Sequence, residues 1–125
     1  MSTNATIVVC LCAEWCGVCR DYRAPFDAVA EQHRDHVFHW ADIEDEADWP
    51  DALEIESFPT VLVQRGDAVL FLGPVLPQPG HLTRLLESLA TLDEAQVQAH
   101  VAATEERRLW QQAREFGRRI AATRD

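Results

Sequence analysis

Lysine is absent from this 125-residue chain; all 11 basic side chains are arginine. Against 21 acidic residues they leave a net charge of −10. A surface of that sign repels phosphate, so nucleic acid is excluded as a partner and an anionic membrane is disfavoured. Long apolar runs are also missing: none approaches the roughly 18 residues of a spanning helix. Met1 to Thr6 has no basic start or cleavage pattern, so no secretory leader is expected and the cytoplasm is the expected location. Cysteine does not occur after position 19. Cysteines at 10, 12, 16 and 19 cannot staple distant segments, which excludes a disulfide scaffold and leaves sulfur chemistry, a metal site or buried thiols.

What is present is patterned for one α/β core. Thr6 to Cys12 is a continuous β-branched run, as in a strand buried on both faces. Val18 to about His33 turns helical, with Tyr22, Phe26, Val29 and Ala30 on one side and Pro25 inside to bend it. Val37 to Ile43 predicts a second strand and Glu44 to Ile55 a short helix. Phe58 to Gln64 and Ala68 to Gly73 predict a hairpin about Arg65-Gly66-Asp67. His81 to Leu89 predicts a helix with Leu82, Leu85, Leu86 and Leu89 on one face. The order β-α-β-α-β-β-α gives a mixed four-stranded sheet flanked by helices.

The tail from Thr91 is helical in composition. Asp93 is placed to cap a helix, and Leu109, Ala113, Phe116 and Ile120 form an apolar stripe. Two uses fit the stripe: folding back to cover apolar surface of its own domain, the preferred one, or pairing with another chain, as in a homodimer.

Trp15-Cys16-Gly17-Val18-Cys19 follows the first strand and opens the first helix. A C-x-x-C pair alone also suits zinc, but the strand–turn–helix setting favours redox chemistry. Backbone N–H groups and the helix dipole at Cys16 favour an anion, and a thiolate is the nucleophile of disulfide exchange. Cys19 lies about one turn further in, within bonding reach of Cys16.

Residues 13–20 closely resemble the active-site segment of thioredoxins, and Ser57-Phe58-Pro59-Thr60 resembles the cis-proline loop that faces it. Gly73 falls where that family has a glycine beside its substrate groove. The resemblance spans about residues 6–90. It implies a thioredoxin-like α/β domain over 1–90, with 91–125 a helical C-terminal extension packed on or near it. It implies a disulfide oxidoreductase with Cys16 as nucleophile and Cys19 as resolving thiol. Trp15, Gly17, Val18, Phe58, cis-Pro59 and Gly73 would form the substrate-binding surface. No cofactor and no metal would be needed. Substrates would be disulfide-containing proteins, with a reductase or glutathione as electron donor.

Several positions depart from the family pattern. Its extra N-terminal strand and helix are not seen ahead of Trp15, and Gly-Val replaces Gly-Pro between the cysteines. Pro25 falls one residue later than the family's helix proline. Cys12 stands at a second tryptophan's place, and Cys10 at that of the buried acid that helps deprotonate the second cysteine. Losing the acid predicts slow release of the mixed disulfide, and losing the proline between the cysteines predicts a shifted potential, more oxidising than roughly −270 mV.

Other readings stay beside this one. Cys10 and Cys12 point to one sheet face and read first as small buried hydrophobes, with a secondary disulfide less favoured. A four-cysteine metal site would need tetrahedral geometry from a rigid strand. Trp40, Trp49 and Trp110 read as packing residues, and the five histidines show no ligand spacing. The functional alternative is a binding module in which the thioredoxin fold is a scaffold and the C-x-x-C a redox gate.

Overall fold

The computed structural model of the chain describes residues 6–13, 16–45, 49, 50, 53–76 and 78–123. Four strands, β1 (Thr6–Cys12), β2 (Val37–Asp42), β3 (Thr60–Arg65) and β4 (Ala68–Pro74), form one sheet in the order β2-β1-β3-β4. β1 runs parallel to β2 and antiparallel to β3, and β3 and β4 are antiparallel. The expected mixed sheet is therefore present. The β3–β4 turn uses Gly66 at φ 60°, a left-handed conformation that costs glycine no Cβ clash.

Helix α1 (Gly17–Gln32) returns the chain from β1 to β2, and α2 (Pro79–Ala90) packs beside it. The helix expected over 44–55 is not formed among the described residues. A 3-10 turn at Ile43–Asp45 is followed, after an undescribed stretch, by irregular chain at 53–56. Eight acidic residues crowd 42–56, and Pro50 interrupts any helix through the apolar Trp49, Leu53 and Ile55. They pack instead as an irregular segment, with Trp49 Nε1 donating to the Leu53 carbonyl at 2.6 Å.

Strand alternation divides the core in two. Val8, Cys10 and Cys12 of β1 face α1 and α2, against Cys19, Tyr22, Phe26, Val29, Leu82, Leu86 and Leu89. Ile7, Val9 and Leu11 face the other way and meet the end of the tail, whereas Val97 of the tail joins the first cluster. That tail comprises α3 (Glu94–Ala102), α4 (Glu105–Trp110) and α5 (Arg114–Thr123), with a 3-10 turn at Gln111–Ala113. Ala113, Phe116 and Ile120 of the predicted stripe are buried on the sheet. The stripe is thus used within its own chain, while Leu109 remains 41% exposed.

Side-chain polar groups hold the tail in place. Asp93 and Gln96 form a reciprocal capping box at the start of α3, with bonds of 2.8 and 2.9 Å. The Gln111 amide donates to the Val69 carbonyl and accepts from its N–H, both at 2.8 Å. Fully buried Gln64 donates from Nε2 to the Arg114 carbonyl at 3.0 Å. Gly117 makes that approach possible, because a Cβ there would collide with Gln64 Oε1. Arg65 donates to the carbonyls of Leu89 and Leu92, both at 2.9 Å, and so satisfies the C-terminal end of α2.

The three tryptophans read as packing residues do pack. Trp40 meets Phe26 at 5.6 Å, Trp49 meets Phe116 at 5.0 Å and Trp110 meets Phe71 at 5.7 Å, each edge to face.

Candidate active site

The chain leaves β1 at Cys12, turns, and starts α1 with Cys16 as its N-cap residue. Cys16 has extended backbone angles, and its N–H donates to the Ala13 carbonyl at 3.0 Å. Cys16 is half-buried at the margin of the α1-facing core, and its thiol is free. Gly17 is the first helical residue, and Val18 is 47% exposed, a large apolar side chain left open beside the cysteine. Cys19 lies in the first turn, directed inward and buried.

Cys19 is bonded to Cys12, not to Cys16. The expected Cys16–Cys19 bond is absent from this state, and Cys12 is more than a small hydrophobe. Cys12 ends β1 on the face that α1 covers, and the first turn of α1 brings Cys19 over it with the Cα atoms 5.9 Å apart. That separation lies inside the range disulfides span. Both residues are almost wholly buried. A cleft of about 430 Å³ leads to the pair between α1 and β2, walled by Arg20, Arg23, Trp40 and Asp42. The Arg23 guanidinium stacks over Trp40 at 4.9 Å.

Cys10 is fully buried, with its sulfur 3.6 Å from that of Cys12. Burial pushes its thiol up to about 12, with the charge of Arg23 opposing the rise. Cys10 is therefore protonated near neutrality and cannot replace a carboxylate as proton acceptor. Burial also raises the Tyr22 phenol, and the neighbouring Cys10 adds to that rise.

On the facing loop the Phe58–Pro59 peptide bond is cis. Pro59 is buried, and its carbonyl accepts from the Val75 N–H at 3.2 Å. Thr60 Oγ1 closes the loop by donating to the Ser57 carbonyl at 2.6 Å. Phe58 packs on the same core cluster as Cys12, Cys16 and Cys19. Gly73 pairs with Val61 across the hairpin and lines a separate groove of about 550 Å³ with Ser57, Thr60, Leu109 and Trp110. Trp15 lies outside the described residues. Among the described residues no helix is long and apolar enough to cross a membrane, and no group of three or more His, Cys, Asp or Glu is placed to hold a metal ion.

The thioredoxin family model matches residues 1–73. A thioredoxin 2 protein of Streptomyces coelicolor is 28% identical over 102 residues, covering 82% of this chain and 76% of that protein. The thioredoxin of Mycoplasmoides gallisepticum is 36% identical over 62 residues, covering 50% of this chain and 62% of its own. Among solved structures, the germline-specific thioredoxin Deadhead of Drosophila melanogaster superposes with a TM-score of 0.61 at 21% identity, over 69% of this chain and 82% of that one. The thioredoxin of Trypanosoma brucei brucei does so at 0.59 with 24% identity, over 72% and 79%. Fold, family match and a cysteine pair at bonding distance agree, and the chain belongs to the thioredoxin family as a thiol–disulfide oxidoreductase.

Proposed function

We propose that Cys16 is the attacking nucleophile and Cys19 the resolving thiol in the reduction of protein disulfides. The observation that carries this reading is the contrast among the four sulfurs: Cys10, Cys12 and Cys19 are buried, and Cys16 alone is both free and partly open at a helix N-terminus. The Cys16 thiolate attacks one sulfur of a target disulfide and expels the other as a thiolate. With Cys19 reduced, its thiolate attacks Cys16 and frees the target, leaving a Cys16–Cys19 bond.

Val18 supplies an apolar rim, Trp15 is a further substrate-contacting residue, Gly17 and Val18 set the turn, and Phe58 and Pro59 form the facing wall, with Gly73 beside it. Residues 1–90 serve as the catalytic unit and 91–125 as a structural cover. The reductant is a reductase or glutathione in a reducing compartment such as the cytoplasm.

The test is substitution at the two positions. Cys16→Ser is expected to abolish reduction of a protein disulfide such as that of insulin. Cys19→Ser should accumulate a mixed disulfide on Cys16 with a target protein. Full reductase activity in Cys16→Ser would overturn the assignment. Partner capture that survives Cys16→Ser would favour the scaffold reading instead.

A further inference from the structure

We infer that Cys12 is a second disulfide partner of Cys19, and that exchange between the Cys16–Cys19 and Cys12–Cys19 bonds moves an oxidising equivalent from the open sulfur to a buried one. This rests on the proposed roles of Cys16 and Cys19 and deepens them.

The juxtaposition is specific. Cys19 is bonded to the last residue of β1, while Cys16, three residues before it on the same turn, keeps a free thiol. Side chains three apart on a helix are neighbours, so Cys19 has a sulfur on either side: Cys16 along the helix and Cys12 across the strand end. Cys10 does not compete. Its sulfur is 3.6 Å from that of Cys12, but Cys12, at the end of β1, is the one that Cys19 meets.

The step balances without an outside reagent. After one turnover the chain holds a Cys16–Cys19 disulfide and a Cys12 thiol. The Cys12 thiol gives its proton to solvent, and the thiolate attacks the sulfur of Cys19. The Cys12–Cys19 bond forms, the Cys16–Cys19 bond breaks, and the Cys16 thiolate leaves and takes up a proton. One disulfide replaces another, with no net oxidation.

The consequence is a change of behaviour at Cys16. With Cys19 reduced, the pair works as a dithiol and releases its target. With Cys19 tied to Cys12, Cys16 is a single thiol: it can still attack a disulfide, but no neighbour resolves the product. The oxidised chain then holds a target covalently until an external thiol frees it. Buried on both sides, the Cys12–Cys19 bond is shielded from casual reduction, and the 430 Å³ cleft beside Arg20 and Arg23 is its approach.

Peptide mapping tests this without any substrate. The reduced full-length protein is oxidised with one equivalent of diamide, quenched in acid, alkylated and cleaved after Glu14 and Arg20. Fragment 1–14 holds Cys10 and Cys12, and fragment 15–20 holds Cys16 and Cys19. The expected result is a major cross-linked pair of these fragments with Cys16 alkylated. That pair should persist in Cys10→Ala, vanish in both Cys12→Ser and Cys12→Ala, and become the sole disulfide in Cys16→Ser. The inference is overturned if the oxidised wild-type protein shows only the bond internal to 15–20. It is equally overturned if the cross-link depends on Cys10 and survives loss of Cys12. Either failure leaves dithiol exchange standing, whereas a reductase-competent Cys16→Ser would remove the reading beneath it.

Discussion

The two faces of β1 have opposite duties. Toward α1 and α2 its side chains are Val8, Cys10 and Cys12, and that face brings the sulfurs together. Toward the tail they are Ile7, Val9 and Leu11, a purely aliphatic surface closed by Ala113, Phe116 and Ile120. The alternation of a single strand thus keeps chemistry and closure apart. A register slip of one residue would exchange them, placing thiols under the tail and leucine at the active site. Residues 113–120 of the tail therefore seal one side of the sheet, away from the reacting atoms, while α3 sets Val97 into the cluster on the other.

The largest break in that comparison is expected from Phe116→Ala. Removing a buried ring that meets Trp49 should cost about 3–5 kcal/mol, read as a lower urea midpoint. The alkylation rate of Cys16 in the folded protein should stay near wild type, since the ring sits on the opposite face. A large change in that rate would show that the faces are coupled.

Gly117→Ala should cost about 1–3 kcal/mol, because the new Cβ must push α5 away from Gln64. Its signature is faster amide exchange in α5 with β1 and β2 still protected; uniform loss of protection would contradict it.

The cysteine face is probed by alkali. The Cys10 thiol lies at about 12 in the folded chain against 9.0 in its ordinary state. Its contribution to stability is fully present below pH 9.0 and is lost as pH rises through about 12. At pH 10.5 the loss should be about 2 kcal/mol, from about 1.4 kcal/mol for each unit of pH above the unfolded value. Tyr22, whose buried hydroxyl has no hydrogen-bond partner among the described residues, pulls in the same direction. In Cys10→Ala the alkaline decline in the urea midpoint should shrink by that amount; an unchanged pH profile would show that Cys10 is not its source.

The smallest effect is expected from Asp93→Ala. Loss of the capping box at α3 should cost about 1 kcal/mol, with Cys16 reactivity untouched. A drop of several kcal/mol in a thermal melt would mean that α3 supports more of the fold than its cap.

Much of this architecture can be read from residue order. The β-branched run at Thr6–Cys12, the hairpin about Gly66 and the leucine spacing in α2 each match a single periodicity, and each forms close to its expected place. The capping signal at Asp93 likewise depends only on neighbours in the chain. Segment 44–55 was less legible because its acids and Pro50 oppose a helix that the Trp49–Leu53 spacing would allow, and tertiary packing of Trp49 and Leu53 decides the outcome.

The site divides in the same way. Cys16 at a helix start and Pro59 in its loop follow from local sequence. The bond from Cys19 to Cys12 does not, because spacing along the chain ranks Cys16 as the nearer partner. Alternation about Leu11 puts Cys10 and Cys12 on one face, but only the angle at which α1 returns over the end of β1 selects Cys12. Gln64 was missed for a comparable reason. A glutamine in an apolar strand gives no sign of the helix carbonyl, 50 residues away, that it serves.

The amide of Gln111 imitates, at one residue, the neighbour that β4 would otherwise recruit. It occupies the donor and acceptor of Val69 on β4, one of the sheet's two edge strands, and the His100 ring occupies the carbonyl of Leu70 beside it at 2.8 Å. Two side chains thereby blunt an edge that a second molecule could extend into a continuous ribbon. Peeling the tail away would leave both the aliphatic face and this border bare, so self-association should begin before the sulfur chemistry is lost.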